Sequence, residues 1–274
     1  MSLVGEGDRL GHVLVCPPER EYTTASDRLA QNVPEAADRD TALAQHAALV
    51  RTLEETGARV TSVPELGGHP NSVFVRDAAL ATPVGFVELR MGLPARRGEE
   101  RWMARHLGAL GLAPLGRVVP PGTVEGGDVF LLEGLALVGI SSRTNAEGAR
   151  QLARLLETVG YRVRTAAIPP PLFHLGSVLS PVGRGRVLAV EGALPADFLV
   201  GLEVVVLPAR AGEAATANVV HLGDGEVIVD AGDGSGAGEL LARRGARVHA
   251  LDLSEFRKGA GGPTCLTLPV SREG

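Results

Sequence analysis

VGYRVRTAAIP, residues 159–169, closes a helix-like stretch at a glycine and runs straight into a short Val-rich strand. The phrase recurs as TGARVTSVP (56–64), LGRVVPP (115–121), VGLEVVVLP (200–208) and RGARVHALDL (244–253). Aligning Val60, Val118, Val163, Val204 and Val248 gives intervals of 58, 45, 41 and 44 residues, an internal repeat. Four of the five phrases follow apolar residues at helical spacing, as in RDTALAQHAALVRTLEET (39–56) and AEGARQLARLLETV (146–159). The fourth has no convincing helix.

Behind each phrase comes a turn and then two short strands resembling a hairpin. These pairs are SVFVRDAALATPVGFVELR (72–90), GGDVFLLEGLALVGIS (126–141), HLGSVLSPVGRGRVLAV (174–190) and ANVVHLGDGEVIVDA (217–231). The fifth pair needs both ends of the chain, CLTLPV (265–270) beside GHVLVCPP (11–18). Pairing of first and last strands closes a ring and removes an exposed sheet edge. The expected architecture is therefore an α/β five-bladed propeller of ββαβ repeats, a single domain over residues 1–274. An open doubly wound sheet is the rival, since its βαβ rhythm is similar.

Composition narrows the function. The 274 residues are 45% hydrophobic and 22% charged, with a formal charge of −5 and only 3% aromatics. That balance argues against nucleic acid or an anionic membrane as partner. The N-terminal stretch carries acidic residues where a leader is basic, and no long apolar run exists, so the cytoplasm is expected. The two cysteines, Cys16 and Cys265, lie far apart and form no CxxC or CxxH pair, so neither a metal site nor a disulfide scaffold is expected.

In a closed ring, the residues that open each hairpin converge on the axis. Asp77, Glu125, His174, Asn218 and Cys265 occupy those openings. Singly, each has an ordinary reading: a small core thiol, a capping histidine, acidic turn residues. Together, a thiol, an imidazole and two carboxylates make a coherent catalytic set. The loop Gly259-Ala260-Gly261-Gly262-Pro263-Thr264 before Cys265 lets backbone approach a ligand closely. Such a set suits a planar, cationic guanidinium. Carboxylates bind its N–H edges, a thiolate attacks its carbon, and histidine moves the protons.

NSVFVRDAAL (71–80), EGGDVFLL (125–132), GISSRTNAEG (139–148), FHLGS (173–177) and SEFRKGAGGPTCLTL (254–268) occur in that order. In these pieces the chain resembles the guanidine-modifying enzymes, and among them most closely the dimethylarginine dimethylaminohydrolases. RMGLPARRGEE (90–100) adds to the likeness. The resemblance implies a five-bladed α/β propeller without a cofactor, working on a small guanidino substrate. It implies Cys265 as nucleophile, His174 as general acid/base, Glu125 and Asp77 as the guanidinium clamp, and Arg90 and Arg143 as the grip on an α-carboxylate. A homodimer is admitted as the assembly.

Two positions depart from the hydrolase pattern, which has Asp at 71 and Glu at 76. Here Asn71 and Arg76 stand there as substrate-facing residues, and FVRD is nearer the FTRD phrase of arginine deiminases. Hydrolysis of Nω-methylated arginine is the leading expectation, with deimination of arginine, or of another guanidino compound, close behind it. Amidino transfer stands further back. A nucleotide-binding α/β protein is a remote alternative, resting on Gly232, Gly234 and Ala237 in G-x-G-x-x-A spacing with Asp252 downstream.

Overall fold

Continuous apolar runs such as VFLL (129–132) read as strands buried on both faces, and they lie innermost in the computed structural model. The structure describes residues 4–25, 28, 30–31, 33–209 and 216–274. The strands are β1 (Arg9–Val15), β2 (Arg59–Ser62), β3 (Ala79–Thr82), β4 (Gly85–Glu88), β5 (Pro114–Arg117), β6 (Val129–Leu132), β7 (Leu135–Ile140) and β8 (Arg162–Ala167). They continue as β9 (Leu179–Gly183), β10 (Arg186–Val190), β11 (Glu203–Leu207), β12 (Val219–Gly223), β13 (Glu226–Asp230), β14 (Arg247–Leu251) and β15 (Leu268–Glu273). The helices are α1 (Arg39–Glu55), α2 (Glu99–Ala109), α3 (Ala146–Glu157), α4 (Ala237–Arg243) and the short α5 (Ser254–Arg257).

The strands form five three-stranded sheets, ordered β15-β1-β2, β3-β4-β5, β6-β7-β8, β9-β10-β11 and β12-β13-β14. In each, two strands run antiparallel and the third returns parallel on the outside. Closure across the termini is direct: Leu14 pairs with Leu268 and Arg9 with Glu273. This is a five-bladed α/β propeller. The third strand of the fourth blade follows only a single 3₁₀ turn, Ala196–Leu199, where the sequence offered no helix.

One alignment in the repeat needs correction. Val60, Val163, Val204 and Val248 all take the second pairing position of their parallel ladders, opposite Val13, Ala136, Val187 and Val227. In the second blade that position is Gly116, opposite Val87, and Val118 lies just past the strand. The reason is packing. A Cβ at Gly116 would meet the Leu155 side chain of α3 at 2.6 Å, so a valine there would have to displace that leucine.

Apolar clusters fill the spaces between sheets and helices. The outer strands β2 and β14 are partly exposed along their whole length, whereas β6 and β12 are buried throughout. Each fully buried Val, Leu or Phe contributes roughly 1.5–3 kcal/mol. α3 starts at Asn145, whose Oδ1 accepts the Gly148 amide at 2.7 Å and the Thr123 amide at 3.1 Å. Gly148 is required there, because a Cβ would meet the Thr123 carbonyl oxygen at 2.0 Å. Among the described residues no helix is long and apolar enough to cross a membrane.

The nucleotide-loop reading falls on β13, α4 and β14, which do form a parallel crossover within the last blade. The glycine loop is occupied by protein. Arg257 binds Asp230, and a Cβ at Gly232 would lie 2.7 Å from the Arg257 guanidinium. Asp252 accepts from the Ser254 amide and from Gln45. No doubly wound sheet follows, since β14 is the outer strand of a three-stranded sheet.

Candidate active site

Tight turns deliver the chemistry-bearing residues to the axis. Val75–Asp77, Gly126–Asp128 and Leu175–Ser177 are single 3₁₀ turns that lead into β3, β6 and β9. Glu125 and His174 precede their turns, whereas Asp77 is the last residue of its own. The convergence is therefore real, but Asp77 is not positionally equivalent to Glu125. Glycines make the close approach feasible. A Cβ at Gly126 would meet the Arg76 carbonyl oxygen at 2.0 Å, and one at Gly127 would meet Asp77 Oδ1 and His174 Cγ at 2.8 Å. In the loop before Cys265, a Cβ at Gly261 would meet the Phe74 ring at 2.1 Å. Ala260 there takes φ 57°, the left-handed region that costs a side-chain-bearing residue energy.

A small cavity is lined by Asn71, Asp77, Arg143, His174, Cys265 and the glycine loop. His174 Nε2 stands 2.8 Å from Glu125 Oε2 and 3.9 Å from Asp77 Oδ1. Burial draws the imidazole pKa down, but the Asp77, Asp128 and Glu125 charges and the Glu125 hydrogen bond outweigh it, lifting it to about 9. At neutral pH the ring is an imidazolium. Glu125 is held below the usual carboxylate range: burial opposes its ionisation, but His174, Arg96 and Arg143 prevail.

Cys265 is a free thiol that accepts a hydrogen bond from Asn218 Nδ2 at 3.6 Å. Asn218 is fixed by its own Oδ1, which accepts from the Thr264 amide and hydroxyl at 2.9 and 2.8 Å. Burial and the Asp77 carboxylate push the thiol pKa up, against hydrogen bonds from Gly262, Asn218 and Thr264. A cation bound beside Asp77 would remove that carboxylate's penalty and favour the thiolate.

Three expected placements are corrected. Glu125 is fully buried and does not line the cavity. Its Oε1 accepts the amides of Gly92 and Leu93 at 2.9 and 3.0 Å, and its Oε2 faces His174. It backs the histidine, leaving Asp77 as the carboxylate at the cavity. Arg90 donates to the Gly122 carbonyl at 2.9 Å and is likewise absent from the cavity wall. Arg96 is there instead. It donates to Asp77 Oδ2 at 2.5 Å, to Glu99 Oε2 at 2.6 Å and to the carbonyls of Asn71 and Phe74. Arg76, finally, turns away from the cavity. It makes a bidentate pair with Glu6 at 2.7 and 2.8 Å, and its guanidinium lies over the Phe130 ring. Its positive charge is thus paired with Glu6 rather than presented to the cavity.

Asn71 lines the cavity as expected, with Nδ2 donating to the Gln31 carbonyl at 2.6 Å. Arg143 lines it too. Asp128, in EGGD, was legible only as a turn residue, yet it is fully buried, with Oδ2 accepting from Ser141 Oγ and Oδ1 from the Leu175 amide. Burial raises its pKa to about 6. Asp77, Glu125 and His174 also offer three metal-type donors within 4.8 Å of one another. Arg96 and Gly127 already engage Asp77, and His174, Gly92 and Leu93 engage Glu125.

Residues 64–180 match the arginine deiminase family. The N(G),N(G)-dimethylarginine dimethylaminohydrolase of Pseudomonas aeruginosa is 31% identical over 94% of this chain and 98% of its own. That of Streptomyces coelicolor is 33% identical over 89% and 93%. A solved structure of the Pseudomonas enzyme, a Cys-to-Ser mutant complexed with citrulline, superposes with a TM-score of 0.82 at 30% identity, covering 95% of this chain and 99% of that one. With near full-length similarity in both sequence and fold, the chain belongs to the dimethylarginine dimethylaminohydrolase family, within the guanidine-modifying superfamily.

Proposed function

We propose that the protein hydrolyses an Nω-methylated arginine to citrulline and a methylamine. The observation that carries the proposal is the meeting of Cys265, His174 and Asp77 on one cavity wall, with Glu125 behind His174. Asp77 orients the guanidinium through its N–H edge, while Arg96 holds the Asp77 carboxylate in place. The substrate cation offsets the Asp77 charge that keeps Cys265 protonated, so the thiol gives up its proton to solvent, His174 already carrying one. The thiolate then attacks the guanidinium carbon, forming a C–S bond.

His174 gives its proton to the departing amine nitrogen as the C–N bond breaks, leaving an S-linked thiouronium. The now neutral ring takes a proton from water, whose oxygen attacks the same carbon. Collapse expels the Cys265 sulfur and releases citrulline. Glu125 stabilises the imidazolium and fixes which ring nitrogen faces the reaction. Arg143 takes the α-carboxylate. Asn71 receives the α-amino group, with a neutral amide in place of a carboxylate. A homodimer belongs to the same reading.

The test is product identification by liquid chromatography and mass spectrometry on dimethylarginine, monomethylarginine, arginine and an α-acylated arginine. Citrulline plus a methylamine from the methylated substrates is the expected result. Silence on both methylated arginines with ammonia released from arginine rejects the proposal and selects the deiminase reaction.

A further inference from the structure

Phe173 immediately precedes His174 and lines the cavity, yet it is 37% exposed. Its ring lies over the Arg143 guanidinium, with Cζ 5.1 Å from the ring centroid. Arg143 is only 9% exposed, and the nearest carboxylate oxygen, Glu125 Oε1, is 3.8 Å away, beyond hydrogen-bonding distance. Among the described residues, no acceptor takes a hydrogen bond from this guanidinium. The backbone beneath it is firmly seated. The Arg143 amide donates to Ser141 Oγ at 3.0 Å, and a Cβ at Gly92 would meet the Arg143 carbonyl oxygen at 2.1 Å.

A nearly buried cation whose donors no described protein acceptor takes, with an aromatic ring packed against it, is arranged to receive an anion. We propose that Phe173 is a specificity-determining residue, whose ring shields Arg143 from water and selects guanidino substrates that carry a carboxylate. The negative face of the ring attracts the guanidinium and holds it in place without taking a hydrogen bond from its donors. Excluding water from that face strengthens the charge pair with an incoming carboxylate. An aliphatic side chain fills much of the same space but has no such face to offer. This inference rests on the reading of Arg143 as the carboxylate grip.

Titration calorimetry on the Cys265→Ser protein tests it with L-arginine and agmatine, which differ by the carboxylate. Phe173→Leu, added to that background, should weaken arginine binding by about three- to tenfold and leave agmatine unchanged. Phe173→Tyr keeps a ring and should preserve the original ratio. With Arg143→Ala already present, Phe173→Leu should no longer alter the ratio. Equal weakening of both ligands, no weakening of either, or equal affinities before any change at 173 would each overturn the proposal. A shifted ratio in a protein whose wild type releases no amine from dimethylarginine would sink the substrate reading and leave the role of Phe173 standing.

Discussion

His174 Nε2 and Glu125 Oε2 are 2.8 Å apart, in a pair whose carboxylate is closed off from the cavity and whose imidazole lines it. Glu125 therefore acts on His174, and the pH dependence should report it. The imidazole pKa is raised to about 9, so the proton needed by the leaving amine is fully present near neutrality and is lost as pH rises through 9. The basic limb of kcat/KM should fall there. Glu125→Gln removes a charge and a hydrogen bond that favour the imidazolium, so the limb should move toward lower pH. A limb unmoved by this change would show that Glu125 does not set the protonation of His174.

The two thiols should behave oppositely. Cys16 is fully buried, and its pKa is raised by burial and by the Glu65 and Glu99 charges, so it is an inert core residue. Iodoacetamide should label Cys265 alone, and citrulline should protect it. Cys265→Ser should abolish turnover, whereas Cys16→Ser should change the rate by no more than a few-fold. Mapping the label by mass spectrometry decides the matter, and a protein silenced by the Cys16 change alone would reverse the assignment.

Arg96 and Arg90 should separate cleanly. Arg96 is buried between Asp77 and Glu99, so Arg96→Met strands two buried carboxylates and should cost about 3–5 kcal/mol of stability. Arg90→Met loses one bond to the Gly122 carbonyl and should cost about 1 kcal/mol, with KM little changed. Chemical denaturation and steady-state kinetics measure both. A large KM rise on losing Arg90 would restore it to the substrate site.

Asn71 carries a two-part prediction. Its Nδ2 donates to both the carbonyl and the side-chain oxygen of Gln31, so Asn71→Asp forfeits two hydrogen bonds, about 1 kcal/mol each, while adding a charge for the substrate α-amino group. The melting temperature should fall, and KM for methylated arginine should drop by up to about tenfold. The same change should not help an α-acylated arginine. Weaker binding of every substrate would place the α-amino group elsewhere.

The glycine at Gly127 offers a test of spacing. A Cβ there lies 2.8 Å from both Asp77 and His174, so Gly127→Ala must push them apart. A shift of this size at the reacting groups should lower kcat about 100-fold. Unchanged kcat would mean that the separation of Asp77 and His174 is not critical.

The ring, its closure across the termini, and the meeting of Asp77, His174, Asn218 and Cys265 were legible because they follow from periodicity. Apolar runs, glycine stops and repeat spacing are local properties that each blade states for itself, even where Gly116 breaks the valine alignment. Tertiary structure alone decided which way the side chains point. Glu125 faces inward because the Gly92 and Leu93 amides, more than thirty residues earlier in the chain, hold its other oxygen. Arg76 points away from the cavity because Glu6, seventy positions away, takes both of its terminal nitrogens. Arg96 rather than Arg90 reaches the cavity because Asp77 and Glu99 meet around it. A buried charge is oriented by whatever opposite charge or free backbone dipole the fold brings beside it, and sequence spacing carries no record of that neighbour.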